Sequence, residues 1–162
     1  MLQRIISFIG LSLILLGCGN ASSTNEPDGT SSAGRAMVST NQRIYLPSDA
    51  MVVMVHNALS TAIYAMDTQS SCSILSLQYQ VNGAWYPSQV AQCPQKRRTR
   101  LVKIDAGATY TATITAGYPG WKQSTFPLGS YRLVLIYTTL PTIVPSPENG
   151  VIVISSTVQV QK

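Results

Sequence analysis

The chain has 162 residues, with eleven basic and six acidic side chains and a formal net charge of +5. Only 10% of residues are charged and 45% are hydrophobic, while Thr, Ser, Val and Tyr are common, which suits strands better than helices. Beyond residue 18 no stretch approaches membrane-spanning length, which excludes a helical membrane domain, and the remainder is long enough for one core but not comfortably for two.

The first element is a leader. A single early charge, Arg4, precedes an apolar run over residues 5–16, and Gly17 then stands before Cys18. Charge, short apolar core and small residue make a secretory signal, too short to cross a membrane as a helix. With cysteine at the cut site, Leu15-Leu16-Gly17-Cys18 resembles the lipobox of bacterial lipoproteins. The resemblance implies that residues 1–17 are removed and that Cys18 becomes a lipidated first residue. Membrane lipid is then the first partner, since two or three acyl chains hold far more firmly than one. Gly19 rather than Asp follows, which by the family's rule argues against retention at the inner membrane of a two-membrane cell. The rival readings are an ordinary signal peptide with an incidental cysteine and an uncleaved signal anchor.

Residues 18–42 read as the lipidated cysteine and a disordered tether, because the stretch after Cys18 has no apolar period and is rich in Ser, Thr, Gly and Asn. A flexible coil of that length spans about 27 Å. Asn20-Ala21-Ser22 fits a glycosylation acceptor pattern, to which a bacterial lipoprotein gives little weight.

Residues 43–162 read as strands separated by turn residues. Strands are predicted over 43–46, 50–57, 62–66, 73–81, 84–86, 101–104, 109–115, 131–137 and 151–160. In the second, Met51, Val53 and Val55 share a face; in the fourth, Leu75, Leu77, Tyr79 and Val81 do. Asn82-Gly83 is a strong hairpin signal, since both turn positions need positive φ. Pro87 interrupts the return strand, and the alternating threonines of 109–115 place one face in water. Seven to nine short strands with near-regular turns and no helical period predict an all-β antiparallel sandwich.

Leu128-Gly129-Ser130-Tyr131 precedes a strongly apolar penultimate strand and resembles the tyrosine corner of immunoglobulin-like domains, whose hydroxyl returns to upstream backbone. The alternative is that Tyr131 is one more core aromatic. Taken together, VVMVHN with AIYAMD, LQYQVNGAWYP, KIDAGATYTATI, PLGSYRLVLIY and VIVISSTVQV resemble, in order, the bacterial immunoglobulin-like domains of small exported lipoproteins. That resemblance implies an immunoglobulin-like fold and says little about activity. The antibody-type cysteine pair is absent, since position 133 is Leu.

If Cys18 carries lipid, Cys72 and Cys93 are the thiols left, and in an oxidising compartment they are expected to pair. A loop of about twenty residues closed in this way stabilises by about 3 kcal/mol. Two free thiols or two metal ligands are the rival readings, though nothing nearby has ligand character.

The remaining candidates point to contact rather than catalysis. The one histidine, His56, lies inside an apolar strand, and G-x-S-x-G is absent. The acidic residues are scattered, with Asp49, Asp67 and Asp105 at turn positions, and there is no metal-ligand spacing or glycine-rich phosphate loop. The chain is therefore read as non-enzymatic, with no cofactor and no metal. Lys96, Arg97, Arg98 and Arg100, with Lys103 beyond, form a basic cluster suited to anionic headgroups, a cell-wall polymer or an acidic protein, or else simply a solvated strand start. Nucleic acid is not expected, since aromatics do not interleave the charges and the protein is exported. Tyr118 and Trp121 on one turn form a candidate partner platform, or a cover for the open end of the sandwich. Trp85 reads as core. Residues 138–150, with three prolines, read as a stiffened loop. The expected function is a non-enzymatic, lipid-anchored envelope module binding an envelope protein or cell-wall polymer. The alternatives are a proteinase inhibitor using the 138–150 loop, or a carbohydrate-binding module using Trp121 and the basic cluster.

Overall fold

The computed structural model describes residues 34–67, 73–88, 98–117 and 125–162. Its strands are β1 (Ala36–Thr40), β2 (Ile44–Tyr45), β3 (Met51–Asn57), β4 (Ile63–Asp67), β5 (Leu75–Val81), β6 (Ala84–Pro87), β7 (Arg100–Ile104), β8 (Thr109–Ile114), β9 (Gly129–Thr138), β10 (Val151–Ile154) and β11 (Val158–Val160). The architecture is an all-β sandwich. One sheet has the order β1-β3-β8; the other runs β2-β11-β9-β4-β7, with β10 and the β5–β6 hairpin joined to it through β9. All pairings are antiparallel except β2 with β11.

The period-2 pattern decides which faces meet. Met51, Val53 and Val55 of β3 point inward from one sheet, and Tyr131, Leu133, Leu135 and Tyr137 of β9 from the other. β9 is the spine of the larger sheet. β11 and β10 lie end to end along one edge of it, and β5 and β4 along the other, where Ala65 faces Tyr137 and Leu75 faces Leu135. The Asn82-Gly83 turn forms as predicted, with φ of 50° and 81° and Val81 opposite Ala84.

Three differences from the sequence reading have physical causes. First, residues 36–40, assigned to the tether, form β1, which pairs with β3 from Ala36↔Asn57 to Thr40↔Val53. Only Ala36 and Val38 point inward, so the segment's own composition is weakly apolar and its order comes from the ladder of β3. Second, the predicted strand 151–160 is two strands. Ile154 stands opposite Val134 and Val158 opposite Tyr131, so residues 155–157 face only positions 132 and 133. This bulge switches the inward phase from the odd positions of β10 to the even positions of β11. Ser155 holds it closed: its N–H donates to Leu133 O at 2.9 Å, its Oγ accepts from Leu133 N at 2.9 Å, and the same hydroxyl donates to Ser156 O. Third, the return strand continues through Pro87, which stands opposite Gln78 on an edge strand where a missing N–H costs no ladder bond.

Candidate functional site

Tyr131 anchors the end of the sandwich where β9 begins. Its buried ring lies 4.9 Å from Tyr79 and edge-on to Phe126 at 5.8 Å, while its hydroxyl donates to Pro127 O at 2.8 Å. The Tyr79 hydroxyl donates to Leu128 O, and Phe126 N–H to Pro47 O, so three aromatic residues clamp the 126–129 turn. Gly129 makes this approach possible: its φ is 145°, and a Cβ there would stand 2.6 Å from Cε2 of Tyr79.

Trp85 is not a core residue, which corrects the sequence reading. It lies opposite Gln80 on the outward face of β6, half-buried, with the Arg132 guanidinium 4.5 Å from its ring centroid. Arg132 Nε donates to Gln78 Oε1 at 2.7 Å. The ring is covered from outside by a cation, which is why a tryptophan can sit on a solvent-facing sheet surface.

The basic cluster is partly neutralised. Arg100 Nε meets the largely buried Asp67 carboxylate at 2.8 Å across the β4–β7 ladder, and Lys103 meets Asp105 at 2.6 Å, which raises the lysine pKa. Arg98 is exposed just before β7. These charges line an edge strand, where they oppose pairing with another chain.

His56 is on the outward face of β3, with Nδ1 3.1 Å from Thr109 Oγ1. Its neighbour Asn57 is the residue that matters to the fold. Fully buried, its Nδ2 donates toward the carbonyls of Thr61, Ile104 and Asp105, and its Oδ1 accepts from Leu59 N. Its backbone also pairs with Ala108 O and Gly107 N, so one side chain ties the β3–β4 connection to the β7–β8 turn. A polar residue closing an apolar strand was its only sequence signal.

The most unusual surface is at β10. Among the described residues this strand bonds on one side only, to β9, and Val151, Ile152 and Ile154 are 47–50% exposed. Two other edges of the same sheet carry guards: β6 ends on Pro87, and β7 carries Arg100 and Lys103. β10 carries none. Beside it lies an open cleft of about 440 Å³, lined by Arg35 to Ser39 on one side and Val151 to Ile154 with Ser156 on the other. β1 likewise bonds on one side only, to β3. A run apolar at both parities, Val-Ile-Val-Ile, could have flagged this edge from sequence, but it reads equally well as a central strand.

The 139–150 connection folds on itself. Ser146 N–H donates to Asn149 Oδ1 and Gly150 N–H to Ser146 O, while Leu140 and Val144 project into solvent. Cys18, Cys72, Cys93, Lys96, Arg97, Tyr118 and Trp121 lie outside the described residues. No described helix is long and apolar enough to cross a membrane, and no three His, Cys, Asp or Glu side chains gather among the described residues. The sequence matches no protein-family model and no curated protein.

Proposed function

We propose that this chain is a non-enzymatic, lipid-anchored protein of the bacterial cell envelope whose immunoglobulin-like sandwich is an interaction module. The unguarded β10 edge carries this reading: an uncharged, half-exposed strand at the rim of a sheet is suited to contact with another chain. The Leu15-Leu16-Gly17-Cys18 pattern supports lipid attachment at Cys18. The immunoglobulin-like assignment is supported by two features. The N-terminal strands divide between the sheets, β1 pairing with β3 and β2 running parallel to the last strand, and Tyr131 returns its hydroxyl to the 126–129 turn.

The test is photo-crosslinking in cells from position 152 of the full chain, beside a Cys18→Ser control. The proposal expects a discrete envelope neighbour from position 152 and loss of membrane association in the control. A Cys18→Ser chain that still fractionates with membranes would refute the anchor, and a crosslink pattern identical to that from an exposed position on β8 would refute the module.

Exposed Leu140 and Val144 on a loop held by its own hydrogen bonds favour a second reading, a proteinase inhibitor, because a preorganised loop loses little entropy on docking. Inhibition of a broad protease panel by the purified full chain, abolished by Val144→Asp, is its expected result.

A further inference from the structure

The geometry points to the β10 edge and its cleft as the docking site for an extended partner peptide with apolar residues at alternate positions and a carboxylate beside Arg35. This rests on the interaction-module reading above and names the ligand class for that surface.

Main-chain direction comes first. Ser155 N–H bonds Leu133 O just past β10, so the odd positions of the strand, Val151 and Val153, turn their peptide groups toward β9 in the same phase. The alternation of an antiparallel ladder then turns the N–H and C=O of Ile152 and Ile154 to the open edge. A strand added there would make main-chain bonds that any sequence can supply.

Side-chain selection comes from the cleft. Val151 and Val153 share the inward phase of β10, as Ala36 and Val38 do of β1, and all four line the cleft. Alternate side chains of an added strand would enter this space, and those between would flank exposed Ile152 and Ile154. Charged side chains would lose water there without a partner, so the inward positions select apolar residues.

Charge fixes one end. Arg35 is exposed at the mouth of the cleft, and among the described residues the ion pairs are Arg100–Asp67 and Lys103–Asp105, which leave Arg35 without a carboxylate. The cleft-lining residues include no acidic side chain. A carboxylate on the incoming peptide, from a side chain or a chain terminus, complements this site; a lysine is repelled by it. The same argument disfavours a second copy of this chain, because β10 brings no carboxylate of its own.

The probe is a fluorescein-labelled synthetic heptapeptide, Thr-Val-Thr-Val-Thr-Val-Asp, amidated at its C-terminus like its companions so that the side chain is the variable carboxylate, titrated with the full chain in detergent micelles and read by anisotropy. Companion peptides end in Asn or Lys, or carry N-methyl groups on alternate residues. Saturable binding in the order Asp, Asn, Lys is expected, with about a tenfold loss on N-methylation. Arg35→Ala, at an exposed position, should make the Asp and Asn peptides equal, and Ile152→Pro should weaken all of them without removing a β9 bond. No binding of the Asp peptide, or equal binding of Asp and Lys peptides, overturns the proposal. So does a concentration-dependent dimer in sedimentation that Ile152→Pro dissolves, which would make a second copy the occupant. These outcomes leave the crosslinking result from position 152 to stand or fall by itself.

Discussion

The Tyr131 hydroxyl reaches back four residues to the Pro127 carbonyl, spanning 2.8 Å from a ring that is itself fully buried. A phenol placed in this way both fills the core and satisfies a backbone acceptor at the turn entering β9. Tyr131→Phe keeps the ring and deletes the bond, so it should destabilise by about 1 kcal/mol. Urea denaturation of both chains measures this, and coincident midpoints would show that the bond contributes nothing.

The same phenol makes stability depend on alkaline pH. Burial first, and then the adjacent Tyr79 phenol, push its pKa well above the ordinary value of about 10. As pH rises the unfolded chain therefore loses this proton before the folded one. The group's contribution is complete below pH ~10 and is lost above it at up to about 1.4 kcal/mol per pH unit. Tyr131→Phe should flatten this slope in denaturation series taken from pH ~9 to pH ~11.

Asn57→Ala should be among the most damaging single changes. It strands Leu59 N–H and the carbonyls of Thr61, Ile104 and Asp105 around a buried gap, at a cost of about 3 kcal/mol. Hydrogen exchange should then accelerate in both the 58–62 and 105–108 turns. Protection lost in only one of them would argue against a shared latch.

Gly129→Ala should cost about 2 kcal/mol or more, since the added methyl meets Tyr79 at a backbone angle that side chains rarely adopt. Combining it with Tyr79→Ala should recover part of that loss through relieved crowding. Strict additivity would place the cause in the backbone alone.

A double-mutant cycle on Trp85→Ala and Arg132→Ala should return a coupling of about 0.5 to 1 kcal/mol, the scale of a partly exposed cation over an aromatic face. Zero coupling would reduce the stack to coincidence.

Much of the sandwich was legible because half-buried strands write their period into the sequence. Met51, Val53 and Val55 announce an inward face, and Asn82-Gly83 announces its turn. The failures share a cause, which is that a partner rather than the segment decides. β1 is ordered by β3, although its own residues resemble a linker. Trp85 reads as core until Arg132, distant in sequence, is found covering it. The break in 151–160 is hidden because Ser155 substitutes a hydroxyl for a backbone carbonyl, an exchange that leaves no periodic trace. The β10 edge was illegible for a related reason: apolar residues at both parities look the same whether a strand is buried on two sides or left at the rim.

The Ser155 bulge has a mechanical consequence. Because β11 is phased independently of β10, fraying that begins at Val151 need not propagate into Val158 and Val160, whose side chains close the core. Ser155 acts as a firebreak along the last segment of the chain. The outer half of that segment can fray and re-pair, while the inner half keeps the two layers of the domain sealed.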